Sequence, residues 1–254
     1  MTYCVGMMVD KGLVLMSDTR TNSGVDNISI FRKMFHWRVP GERMIAVMTA
    51  GNLATTQAVI SQLEERTKAP EDRDNSLLKA PTMFQVAAEI GTLLRSTIEQ
   101  RQGANGARGR GRFTASIILA GQIAGMEPRL FLIYPEGNFI EAGLDTPFFQ
   151  IGETKYGRPI ILRGYDRSMS FEDAVKLIMV SFDSTLKANL SVGLPLDLLV
   201  IPRDEFAPGH ERRIAHDDPY FSILSNQWGS HLRDAFHALP DYSFHASDEL
   251  EAGG

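Results

Sequence analysis

Asp10-Lys11-Gly12 separates two short apolar runs, residues 2–9 and 12–17, and reads as a tight hairpin turn. Parallel strands need a crossover of a dozen residues or more, so a turn this short commits the start of the chain to antiparallel pairing. Two further strand-like segments, 33–39 and 43–49, flank the turn Pro40-Gly41-Glu42. Residues 21–31 are polar and contain glycine, and read as a loop.

Helical patterning follows. Residues 53–66 read as one helix, and 67–81 as a charged, proline-containing connection. Thr82-x-x-Gln85 resembles a capping box. It precedes Phe84, Ala87, Ala88, Ile90, Gly91, Leu94 and Ile98 at helical spacing, which predicts a helix to about Arg101. After the basic loop Gly103–Arg112 come apolar strands at 113–122 and 129–134 and shorter ones at 139–140 and 148–151. Gly152–Gly157 opens a third helical stretch. Ser170-x-x-Asp173 marks the start of a helix reaching about Ala188, and 196–201 returns as a strand. Beyond Pro202 the chain is charged and contains several histidines, with a helix expected near 220–236.

Blocks of strands alternate with blocks of helices, and no period of 20–50 residues recurs. This order predicts an α+β fold of four layers, αββα, with two antiparallel sheets face to face between helix layers. Residues 2–203 are expected to form the folded domain and 204–254 a C-terminal extension.

The formal charge of −5 gives no general attraction to nucleic acid or an anionic membrane. Cys4 is the single cysteine, so no internal disulfide or cysteine-based metal cluster is available. No stretch approaches the roughly 20 apolar residues of a spanning helix, and no secretory pattern opens the chain. A cytoplasmic location is expected. The basic run Arg108–Arg112 fits a pore lining or an interface better than a nucleic-acid segment. His210, His216, His231, His237 and His245 fit no metal-ligand spacing. No cofactor and no metal are expected.

Thr2 is the strongest chemical clue. If Met1 is removed, Thr2 carries a hydroxyl and a free α-amine on one residue. A hydroxyl is a weak nucleophile until a base takes its proton. The α-amine, with an ordinary pKa of about 7.7–8.0, is such a base.

Strand-initial Thr2, Ser17-Asp18-Thr19-Arg20, Lys33 in the third strand and Ala50-Gly51 closing the fourth resemble the proteasome β-type subunits. These are N-terminal-nucleophile hydrolases with the αββα fold. The wording Thr-Tyr-Cys-Val-Gly, Ser-Asp-Thr-Arg-Thr-Asn and Leu-Ser-Val-Gly-Leu-Pro-Leu-Asp is most similar to the bacterial, proteasome-related Anbu family. The resemblance spans about residues 2–203. It implies a threonine-type peptidase in a ring-like homo-oligomer acting on polypeptide, with any ATPase partner left open. Thr2 would be the nucleophile. Lys33 would be the cation that favours its alkoxide, and Asp18 would hold that cation. Gly51 would give its N–H to the oxyanion. Arg20, Asn22 and Gly51 would frame a substrate strand, with Arg20 as a structural clamp. The extension, 204–254, would pack on a neighbouring subunit.

Three departures from the family pattern are visible. Lys33 stands one residue closer to Asp18 than usual. The family's serine before the third helix is replaced by Gly152-Glu153-Thr154-Lys155, where Glu153 or Thr154 could substitute. Its Asp-x-x-Ser-Gly becomes Asn189-Leu190-Ser191-Val192-Gly193, leaving Ser191 as a partner for the Thr2 amine. Two other functions stay open: an amidase acting on small amides, and a ring scaffold or peptide-binding protein without turnover.

Overall fold

The computed structural model describes residues 2–22, 28–68, 76–103, 113–242 and 244. The chain divides into two units, Met1–His216 and Asp217–Gly254.

The hairpin turn joins β1 (Tyr3–Val9) to β2 (Gly12–Asp18), in the register Cys4↔Ser17 through Val9↔Gly12. Both strands are buried nearly throughout, with apolar residues at successive positions, as expected of a sheet covered on both faces. A ribbon follows, β3 (Arg20–Asn22) with β4 (Ile28–Ile30). Next come β5 (Met34–Val39) and β6 (Arg43–Gly51), then α1 (Leu53–Thr67) and α2 (Met83–Gly103). The second half runs β7 (Ala115–Ile123), β8 (Arg129–Ile133), β9 (Phe139–Glu141) and β10 (Phe148–Gly152), α3 (Arg158–Gly164) and α4 (Phe171–Ala188). It closes with β11 (Leu196–Pro202) and β12 (His210–Ile214).

Two five-stranded antiparallel sheets result, ordered β10-β1-β2-β11-β12 and β5-β6-β7-β8-β9. Leu13, Leu15, Met44, Met48, Ile118, Leu130 and Leu199 fill the space between them. On its outer face the second sheet packs Ile117, Leu119 and Phe131 against Val59 and Leu63 of α1 and Ile90 and Leu94 of α2. The first sheet is covered by α4, where Phe182 meets the Tyr3 ring at 4.4 Å between centroids. The four-layer αββα order is therefore present. Both residues cap helices: Thr82 Oγ1 accepts the Gln85 N–H at 3.2 Å, and Ser170 Oγ accepts that of Asp173 at 3.1 Å.

Three expectations need correction. Residues 20–30 contain the β3–β4 ribbon, whose strands of three residues each are too short to establish a period. The third helix starts at Arg158, because Gly152 still ends a strand and the Glu153 N–H is committed to Thr2. The first unit reaches His216 instead of 203, because β12 pairs with β11 from Leu196↔Ile214 to Val200↔His210. That strand is charged and mostly exposed, as sheet edges often are. The second unit contains α5 (Pro219–His237), capped by Asp218, whose side chain accepts the Phe221 N–H at 2.9 Å. The basic run Arg108–Arg112, the end of the extension with His245, and Met1 lie outside the described residues.

Candidate active site

Thr2 enters the first sheet at the head of β1. Its carbonyl accepts the Glu153 N–H at 2.7 Å. The next N–H, of Tyr3, donates to Asp18 Oδ1 at 2.9 Å. Asp18 ends β2, the neighbouring strand, so sheet register brings the two together.

Lys33 comes from the other sheet. It immediately precedes β5, and its carbonyl accepts the Thr49 N–H at 2.9 Å, which extends the β5–β6 ladder by one rung. Its Nζ donates to Asp18 Oδ1 at 2.7 Å and to the Arg20 carbonyl at 2.6 Å. The two side chains are 5% and 0% exposed. Burial raises the Asp18 pKa above the ordinary carboxylate value, while Lys33 and the Tyr3 N–H oppose that rise.

Gly51 ends β6 at φ 118°, where a side chain would run into the Thr114 carbonyl. Only glycine fits this turn comfortably. Asn52 then caps α1 by accepting the Thr55 N–H at 3.0 Å.

Thr2, Lys33 and Gly51 converge on one cavity of about 460 Å³. Thr21, Thr49, Thr56 and Gln57 give it polar lining, and Phe35, Leu53 and Ile60 give it apolar surface. Arg32, Ala50 and Gly152 complete it. Asp18 stands behind Lys33, outside the lining.

Arg20 and Ser191 do not line this cavity. Arg20 Nη1 donates to the Leu190 carbonyl at 3.0 Å, and its guanidinium lies over Gly193, which bolts the ribbon to the turn after α4. The Ser191 N–H donates to Asn189 Oδ1 at 2.9 Å, and Asn189 Nδ2 donates to Glu153 Oε2 at 3.0 Å. The Asn22 backbone pairs with Ile28, while its side chain lies outside the described residues.

One buried network escaped sequence reasoning. The Tyr3 hydroxyl meets Ser181 Oγ at 2.6 Å and accepts from Gln150 Nε2 at 2.5 Å. Ser181 Oγ donates onward to the Gly157 carbonyl at 2.9 Å. Burial pushes the Tyr3 pKa up to about 12, against the pull of Ser181 and Gln150. The network fixes the residue that follows Thr2. A tyrosine at the head of an apolar run was its one trace, since a hydroxyl that is buried must find partners.

A family profile described as "Proteasome subunit" matches residues 2–201, and the chain belongs to that family. A relative in sequence is the proteasome subunit beta of Methanopyrus kandleri, 25% identical over 207 residues, or 80% of this chain and 88% of that one. Within the family the chain is similar to Anbu. The structure of Anbu, the ancestral beta-subunit, from Yersinia bercovieri superposes with a TM-score of 0.88 at 45% identity, covering 95% of this chain and 99% of that one. The helical assembly of the Anbu complex from Pseudomonas aeruginosa gives a TM-score of 0.88 at 45% identity, over 96% and 99%.

Proposed function

We propose that this proteasome-type subunit is a threonine-type peptide-bond hydrolase whose nucleophile is Thr2, exposed as the N-terminus by removal of Met1. The observation that carries the reading is the convergence of Thr2, Lys33 and Gly51 on one cavity, with Lys33 held by buried Asp18.

Thr2 Oγ attacks the substrate carbonyl carbon and its proton passes to the α-amine, directly or through water. The Lys33 ammonium favours the alkoxide form of the hydroxyl. The developing oxyanion takes a hydrogen bond from the Gly51 N–H, a kind of donor worth about 10²–10³ in rate. Collapse of the tetrahedral intermediate breaks the C–N bond, and the leaving amine takes the proton from the α-ammonium. Water then hydrolyses the Thr2 ester and restores the hydroxyl.

The substrate is polypeptide, laid against the ribbon as an added strand with Thr21 and Asn22 beside it. Phe35, Leu53 and Ile60 receive an apolar part of a substrate side chain. Arg20 and Ser191 act from outside the cavity by holding the turns that frame it. The similarity to a helical Anbu assembly supports self-association into a compartment-forming homo-oligomer. We assign the C-terminal extension to contacts between its subunits, and the whole to the cytoplasm.

Intact-mass measurement before and after a threonine-directed β-lactone tests the reading. Loss of Met1 and a one-to-one adduct, absent in Thr2→Ala, are expected. A free Thr2 that stays unlabelled refutes the hydrolase and leaves a non-catalytic subunit.

A further inference from the structure

Glu153 is a buried carboxylate held by neutral donors. It is 8% exposed. Its Oε1 accepts the Lys155 N–H at 3.0 Å and its Oε2 accepts from Asn189 Nδ2 at 3.0 Å. Among the described residues no lysine or arginine side chain forms an ion pair with it. Ionised carboxylates removed from water are normally paired with a positive charge.

The sheet register sets the backbone of Thr2 beside that of Glu153. Tyr3 pairs with Gly152 across β1 and β10, which sets Glu153 opposite Thr2. The bond from the Glu153 N–H to the Thr2 carbonyl, 2.7 Å, confirms the alignment. Within one residue the backbone nitrogen lies no more than about 3.6 Å from the carbonyl oxygen. The Thr2 nitrogen is therefore within about 6–7 Å of the Glu153 backbone.

We propose that Glu153 supplies the counter-charge for the α-ammonium of Thr2, and is a positioning residue for the base in the attack. The proposal rests on the reading of Thr2 as the mature N-terminus. When the Thr2 hydroxyl loses its proton to the α-amine, the new ammonium forms beside Glu153 and is stabilised there. Asn189 aims the carboxylate from the turn after α4.

Most of the other charged or titratable groups around this corner are engaged elsewhere. Asp197 holds Arg213 at 2.7 Å, while Arg20, lying over the same turn, donates to the Leu190 carbonyl and its buried Nε meets no acceptor among the described residues. From β1, the Tyr3 phenol is hydrogen-bonded to Ser181 and Gln150, and Cys4 is a buried thiol raised by burial. From β2, Asp18 holds Lys33, which comes from the segment before β5. From α4, Asp183 holds Lys187 at 2.9 Å. At the cavity, Arg32 faces Glu211 at 3.8 Å. Lys155 is exposed. Buried Asp18 and Asp183 each hold a lysine, and Glu153 does not.

The test is the titration of the α-amine in the assembled, full-length protein. Trace acetic anhydride is applied across pH 6–11, and acetylation is read by mass spectrometry of the N-terminal peptide. The wild-type midpoint is expected about one unit or more above the ordinary 7.7–8.0. Glu153→Gln should return it to the ordinary range, and Glu153→Asp, which keeps the charge, should hold it up. Equal midpoints in wild type and Glu153→Gln overturn the proposal, as does a retained Met1. β-Lactone labelling in parallel keeps the two readings separate. Labelled Thr2 with equal midpoints removes only the role of Glu153. Unlabelled Thr2 with a raised, Glu153-dependent midpoint removes only the hydrolase and supports the pairing.

Discussion

Replacing Lys33 by methionine leaves Asp18 buried without its cation. The ammonium sits 2.7 Å from Oδ1, with the two side chains 5% and 0% exposed. At an effective dielectric of about 20 the attraction at that distance is about 6 kcal/mol. Part is offset, because methionine needs no desolvation. Breaking a buried pair typically costs about 3–5 kcal/mol. The Arg20 carbonyl also loses the donor at 2.6 Å.

The loss must depend on pH. Burial already raises the Asp18 pKa, and without Lys33 the principal force opposing it is gone. The folded state then binds a proton more tightly than the unfolded chain, whose aspartate titrates near 3.9. Stability therefore falls as pH rises from about 4 toward the folded pKa, by about 1.4 kcal/mol per unit. The penalty is therefore smaller at low pH, where protonation relieves the buried charge, and larger at high pH. A domain of this size loses about 2–4 °C in Tm per kcal/mol, so thermal melts of Lys33→Met at pH 8 should fall by roughly 6–20 °C. At pH 5 the fall should be less than half as large. The double variant Asp18→Asn/Lys33→Met should regain most of the loss, because an amide is cheaper to bury than a charge. Equal depressions at both pH values, or a double variant no better than the single, would refute the reasoning.

Three further outcomes are expected. Gly51→Ala forces a methyl toward the Thr114 carbonyl at φ 118°, so stability should drop by about 1–3 kcal/mol and β-lactone labelling of Thr2 should slow, measured by melts and intact mass. The Tyr3 phenol stays protonated to about pH 12 when folded but only to about pH 10 when unfolded. Stability should thus decline by about 1.4 kcal/mol per unit between those values, and Tyr3→Phe should remove that part of the slope in alkaline denaturant titrations. Ser170→Ala removes the α4 cap and should cost about 1 kcal/mol by urea unfolding, with Thr2 labelling unchanged.

Much of this was legible in the chain. Asp10-Lys11-Gly12 and Pro40-Gly41-Glu42 located two hairpins, because a tight turn between apolar runs leaves few alternatives. Thr82 and Ser170 located helix starts, because a cap is local chemistry. β12 was missed because an exposed edge strand need not be apolar. The β3–β4 ribbon was missed because a strand of three residues is too short to establish a period. Of the candidate site, Thr2, Lys33 and Gly51 were placed by a resemblance and meet at one cavity. Ser191 was assigned by its place in a motif, yet its turn is organised by Asn189 and Glu153. That arrangement depends on pairing between β1 and β10, nearly 150 residues apart in sequence, which no local pattern encodes.

The Lys33–Asp18 contact joins the two sheets of the sandwich. Asp18 ends a strand of one sheet and Lys33 extends the ladder of the other, so their separation registers how one sheet is seated on the other. A sideways slip between the sheets displaces the Lys33 ammonium from Thr2, the proposed nucleophile, by a similar distance. A misplacement of about 1 Å at a reacting centre can cost 10²-fold in rate. Pressure on either outer helical layer, from a neighbouring protein or a distant substitution, then has a mechanical route to Thr2 without touching the cavity. On the proposed mechanism, the ion pair would act as a shear gauge for the geometry around Thr2.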